Sequence, residues 1–306
     1  MLSMRRGTIV PAILLCVVTG FGAVAFSDNG QTDPAATYVG TTPATAELLE
    51  FLGAPSGADA ELIEWSLSLT SSSQYTLRAV YGRTQPSFPG VQRERRQADR
   101  QGKWAAVKGT KVNASADVID LDGLAFLRVG PSILHALSAD RSLLIGNGAA
   151  SFSLNRSDAA EPAVDPALST SAPPDGSYTI SPLSTGPTVY GIFEGRTPCQ
   201  GAARALGRTV APGCARLKWR LTLYQDPGNQ TPTTFKLEGT MFRSDRLEGP
   251  WTISDKRIVR LEGPNGTTLL SLLDVDDDAV MFLDRSGSPL VGNASFSYTL
   301  DRRKRP

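Results

Sequence analysis

The chain has 306 residues, 41% hydrophobic and 20% charged, with a formal net charge of +1 and a single histidine. That length allows two ordinary domains, and the composition is globular, which excludes disordered and fibrous classes. The balance of 31 Lys and Arg against 30 Asp and Glu excludes a general electrostatic affinity for nucleic acid or anionic membrane.

In chain order, the first element reads as a targeting segment. Arg5 and Arg6 precede an apolar run from about Thr8, and Ala23, Val24 and Ala25 supply the small residues that a signal peptidase reads. Residues 1–25 are expected to be a cleaved secretory signal, which sends the chain to the periplasm or the exterior of a bacterial envelope. Membrane contact is expected only if this segment stays uncleaved, and Pro11 with the small-residue ending favours cleavage. Lipid attachment through Cys16 is not expected, because Leu14 and Leu15 precede it and the apolar run continues past it. The mature chain then keeps two cysteines, Cys199 and Cys214, which in an exported protein are most simply one disulfide.

A repeat organises everything that follows. GTTPA at Gly40 recurs as GRTPC at Gly195, and IEWSLSL around Trp65 recurs as LKWRLTL around Trp219. QGKW ending at Trp104 recurs as EGPW ending at Trp251, VIDLDG at Val118 matches IVRLEG at Ile258, and ADRS at Ala139 matches LDRS at Leu283. IGNGAASFSLNR ending at Arg156 aligns with VGNASFSYTLDR ending at Arg302. The shared order defines a duplicated domain, with copies expected at 36–158 and 187–302. Between them, 159–186 is rich in Pro, Ala and Ser and reads as a semi-extended linker, and 303–306 reads as a solvated basic tail.

Within each copy, WSLSL, YTLRAVYG, VIDLDG, AFLRVG, SLLIG and SFSLNR alternate with the period of two of a strand that has one face on a core. Pro-Gly, Asn-Gly and Ser-Gly turn signals separate such runs, so each copy is expected to be a small antiparallel barrel or sandwich. After the Thr-Pro turn, TAELLEFLG and QGAARALG give one or two helical turns ending at Gly53 and Gly207. The fold class is therefore all-β: two tandem barrels, each with a short helical excursion after its first strand.

A first strand with Gly-x-x-Pro, a Cys just past the Pro, the excursion, a long strand of alternating Leu, the Tyr75-Thr76-Leu77 strand, Gly-x-Trp and a final hairpin together resemble the N-terminal domain of the NlpE family of copper-resistance and envelope-stress lipoproteins. The resemblance spans both copies and implies a lipocalin-like β-barrel in the bacterial envelope, tied to copper homeostasis and stress sensing. The family's Cys-x-x-Cys falls on Ala44 to Glu47 in the first copy and on Cys199 to Ala202 in the second, where only the first cysteine matches.

The candidate donors for copper are Cys199, Cys214, Met241, Met281 and His135, and they form no His-rich or Met-rich cluster. Cys199 and Cys214 are weak metal candidates beside the disulfide reading, and no resident cofactor or catalytic residue is expected. His135 in ILHAL lacks the companion residues of a nucleophilic site, so it is expected to be structural, and no enzyme is expected. Asp274, Asp276, Asp277 and Asp278 lack the glycine and glutamate of a calcium loop and are expected in a solvated turn. The run from Arg93 to Arg100 has no interleaved aromatic and is expected to be an exposed charged loop. Trp65, Trp104, Trp219 and Trp251 are expected to plug the barrels. The expected role is non-catalytic, in copper or envelope-stress homeostasis, with an envelope protein as partner; the alternatives are a carrier of a small apolar ligand or a periplasmic protein-interaction module.

Overall fold

A computed structural model describes residues 35–85, 90–161, 182–211, 213–241 and 246–303. The expected signal at 1–25, most of the linker (162–181) and residues 304–306 lie outside the described residues. Among the described residues no helix is long and apolar enough to cross a membrane.

The alternating segments pair into two closed eight-stranded antiparallel barrels. The first comprises β1 (Ala36–Pro43), α1 (Ala46–Phe51), β2 (Leu62–Leu69), β3 (Gln74–Gly82), β4 (Arg96–Lys108), β5 (Asp117–Leu121), β6 (Leu124–Val129), β7 (Ile133–Ala136) and β8 (Ser153–Arg156). The second comprises β9 (Val189–Thr197), α2 (Cys199–Ala205), β10 (Leu217–Gln225), β11 (Pro232–Gly239), β12 (Leu247–Ile253), β13 (Ile258–Glu262), β14 (Thr268–Asp274), β15 (Ala279–Phe282) and β16 (Thr299–Arg302). In each, the last strand returns to pair with the first, which removes the open edges of a sheet.

The repeat holds at the level of register. Gly40 stands opposite Trp65 and Gly195 opposite Trp219. Closure explains both glycines: a Cβ at Gly40 would fall 2.8 Å from Ser153 O, and one at Gly195 would fall 2.7 Å from Thr299 O. The interiors are filled by side chains, with Trp65 set edge-on to Phe126 at 6.5 Å and Trp219 tilted on Phe282 at 5.5 Å. All four tryptophans are buried, as expected of plugs.

A third apolar cluster lies outside both interiors. Val118, Ala125, Leu127, Val129 and Ile133 from the outer face of β5, β6 and β7, together with Leu137 and Leu143, pack on Ala279 and Met281 of β15. The two barrels are thus joined side by side, which explains why ILHA and AVMF are buried on both faces.

Three sequence expectations need correction. SLLIG forms only an isolated bridge between Leu143 and Leu137, because the chain must cross from β7 back to β8 there. ADRS and LDRS are two residues out of structural register, since the Leu137 to Leu143 bridge is matched by Leu283 to Pro289. The stretch Arg93–Arg100 is not all loop: from Arg96 it is β4, and Arg100 folds over the Phe51 ring at 4.6 Å and donates to the Phe51 carbonyl.

Candidate functional site

The Gly-x-Thr-Pro turn sets the geometry around the helical excursion in both barrels. Thr42 Oγ1 accepts a hydrogen bond from Trp65 Nε1 at 2.8 Å, and Thr197 Oγ1 accepts one from Trp219 Nε1 at 2.8 Å. The following proline cannot donate within the ladder, so the strand ends and the helix begins. Thr45 caps α1 through Leu48 N–H, whereas Pro198 leaves α2 without a side-chain cap. In α2 that task passes to Glu161 and the Tyr298 hydroxyl, both of which accept from Gly201 N–H, at 3.2 and 2.9 Å.

Cys199 and Cys214 form the expected disulfide, with Cα atoms 5.8 Å apart. Cys199 is fully buried in the second core and Cys214 packs at its edge. Beside α2 lies a cavity of about 430 Å³ whose lining includes Glu161, Gln200, Arg204, Asp284 and Tyr298. Tyr298 donates to Glu161, and burial first, then the neighbouring carboxylate, pushes its phenol far above the usual range.

The acidic run departs from its expectation at Asp274 alone. It does join β14 to β15, but Asp274 is fully buried and pairs with Arg257 at 2.9 Å, and Asp277 pairs with the same guanidinium at 2.6 Å. Tyr190 donates to Asp274 and Asp277. Burial pushes the Asp276 carboxyl up to about 6. The turn is therefore solvated at Asp277, which is exposed, and half-exposed at Asp276 and Asp278, while Asp274 is withdrawn into the barrel and tied with Asp277 to Arg257 and Tyr190.

His135 lies fully buried in the seam between the barrels. Its Nε2 faces the Leu144 carbonyl at 2.8 Å, which can only accept, so Nε2 carries the proton and Nδ1 accepts from Ser153 at 2.9 Å. Ser153 Oγ then accepts from Thr299 of the other barrel at 2.8 Å. Burial pushes the imidazole down to about 4, so it is neutral across the ordinary pH range. Both nitrogens are committed within the protein, and the ring acts as a tie between β7, β8 and β16.

The seam repeats itself. Ser151 meets Ser297 at 2.6 Å and Ser153 meets Thr299, each pair separated by 146 residues. Equivalent positions of the two copies thus face one another, as residues do across a two-fold dimer interface. Asn155 of β8 donates to the Asn293 carbonyl at 3.0 Å and accepts from Gly292 N–H at 2.8 Å. Sequence reasoning missed this seam; the readable signal was β6, β7 and β15, which are apolar on both faces and so break the alternation of a half-exposed strand.

The expected copper donors are scattered. Cys199 and Cys214 are bonded to each other, His135 has both nitrogens engaged, and Met281 belongs to the inter-barrel cluster while Met241 packs on the second core. Among the described residues no group of three His, Cys, Asp or Glu side chains is arranged to hold a metal ion. Among the described residues these donors, with the two cysteines oxidised, do not converge on one point as copper ligands would.

No family model and no curated protein matches the chain. A solved structure from Shewanella oneidensis, provisionally described as a lipoprotein, is similar at 20% identity and a TM-score of 0.27. The match covers 42% of this chain and 94% of that one.

Proposed function

We propose that the protein is an exported, non-catalytic bacterial envelope protein that serves copper or envelope-stress homeostasis by contacting another envelope protein. The observation that carries this reading is the doubled NlpE-like pattern: the Gly-x-Thr-Pro turn with its buried Trp partner stands in the same register in both barrels. A disulfide at the family's first cysteine position supports an oxidising compartment. Filled barrel interiors favour outer-surface recognition over carriage of an apolar ligand. The stress role is assigned here to protein contact and not to copper bound by these thiols.

The test has a cellular and a chemical arm. A strain lacking the protein should grow poorly under copper or detergent challenge and recover with the wild-type gene but not with a gene lacking residues 1–25. Unchanged growth under both challenges refutes the proposal. Calorimetric titration of the oxidised protein with Cu(I) and Cu(II) should give no stoichiometric heat; a tight one-to-one isotherm would move the function to direct metal binding.

A further inference from the structure

The seam between the barrels is built twice from equivalent residues, and one pair breaks the symmetry. Asn155 and Asp301 hold the same place on β8 and β16, 146 residues apart and both buried. Asn155 uses both ends of its amide across the seam, donating to Asn293 and accepting from Gly292. Asp301 lies against Gly146, the counterpart of Gly292, so closely that a side chain at Gly146 would collide with the carboxyl. Both oxygens of Asp301 are buried and neither meets a partner at full hydrogen-bond geometry; the one donor close enough to act on the carboxyl is Gly146 N–H, the counterpart of the Gly292 N–H that Asn155 accepts from. An ionised carboxylate has acceptors only, so it can reproduce the accepting half of Asn155 but not the half that donates to a carbonyl. By the offset of 146 residues between the copies, the counterpart of Asn293 is Asn147, whose carbonyl is the acceptor the repeat assigns to this position. Only the protonated acid, with one O–H, has the donor and acceptor set of the amide that it replaces.

We propose that Asp301 is a pH-dependent clamp between the barrels: protonated, it bonds across the seam as Asn155 does, and its ionisation loosens the seam. Burial pushes this carboxyl up to about 7, against the lowering effect of Gly146 N–H. The charged groups on the elements around it are already engaged. Glu194 of β9, its cross-strand neighbour, pairs with Arg220 at 2.6 Å and Arg303 at 2.9 Å. Arg302, next in sequence, leans towards Asp278 and donates to the Asp277 and Tyr190 carbonyls. From the first barrel come the uncharged turn 146–150 and, through Ser153 and Thr299, the neutral His135.

The sign follows from linkage. A solvated aspartate titrates near 3.9, so the closed seam holds more protons from about pH 4 to about 7, and the clamp's contribution is present below that window and lost on rising through it. His135 acts oppositely: its depressed value makes its contribution present above about pH 6.5 and lost as the pH falls towards 4. The two oppose each other in acid, so the clamp is isolated by comparing the full-length protein with Asp301→Asn.

Hydrogen exchange of amides in 146–156 and 293–302, corrected for intrinsic rates, reads seam opening. The ratio of opening in wild type to that in Asp301→Asn should rise roughly a hundredfold between pH 5 and pH 8. Parallel profiles overturn the proposal. Carboxyl 13C titration of wild type needs no variant to fold: a midpoint for Asp301 above pH 6 supports the clamp, and one at or below pH 6 overturns it.

Discussion

Thr42 and Thr197 each join two recurrent features of the sequence, the Thr-Pro turn and the tryptophan of the next strand, through one buried hydrogen bond. An indole N–H removed from water needs an acceptor, and losing it leaves an orphan that costs about 1–3 kcal/mol. Thr197→Val preserves shape and removes the oxygen, so urea unfolding followed at Trp219 should show a loss of that order. An unchanged midpoint would mean that the turn is held by proline geometry alone. The recurrence of these residues was legible in the sequence, because a duplicated chain reports its own constraints. Their bonds were not, since a repeat shows which residue types persist and not which atoms meet across 23 residues in one copy and 22 in the other. The contrast between SFSLNR and SYTLDR was equally readable as letters, but the meaning of Asn155 against Asp301 needed the seam on which both face inward.

The two excursions show one element secured by different means. In α1, Leu48 is buried, as is Leu52 just past its end, and Leu49 and Phe51 pack against the first core, while Arg100 covers the Phe51 ring and its carbonyl. In α2, Gly201, Ala202 and Ala203 are buried and offer little side-chain area, and the bond from Cys199 to Cys214 closes a loop of 15 residues instead. Such a closure stabilises by about 3 kcal/mol in the chain-entropy picture, comparable to the 2–5 kcal/mol expected from truncating a buried leucine. A Cys199→Ala, Cys214→Ala protein should therefore lose about 3 kcal/mol and a Leu48→Ala protein a similar amount. Denaturant titrations of both check this, and no loss in the double alanine protein would show that Glu161 and Tyr298 hold α2 unaided. Composition made this exchange visible in advance, because both helix faces and both cysteines are local in sequence. The trans cap from Glu161 was not visible, as it depends on where the chain leaves the first barrel.

At the scale of the molecule, closure and pairing of the barrels place different demands on the same strands. Closure turns one face of each strand towards a barrel interior, and pairing also buries outer-face residues of β5, β6, β7 and β15, so the period-two rule predicts their pairing but misassigns those outer residues to water. That is why the barrels were readable and their junction was not. The junction combines an apolar patch with a polar ladder, and the two can be separated by substitution. Met281, 1% exposed among Val118, Leu127 and Ile133, takes part in the patch but sits outside the second barrel's interior cluster. A guanidinium there would be desolvated with no partner in the cluster, which disfavours the closed junction while leaving each interior intact. Met281→Arg should therefore part the barrels without unfolding them: the radius of gyration in solution scattering should grow while the far-ultraviolet circular dichroism stays β. Loss of both signals together would mean that the junction is part of one cooperative core, and retention of both would mean that the ladder of Ser151, Ser153, Ser297 and Thr299 suffices to hold it.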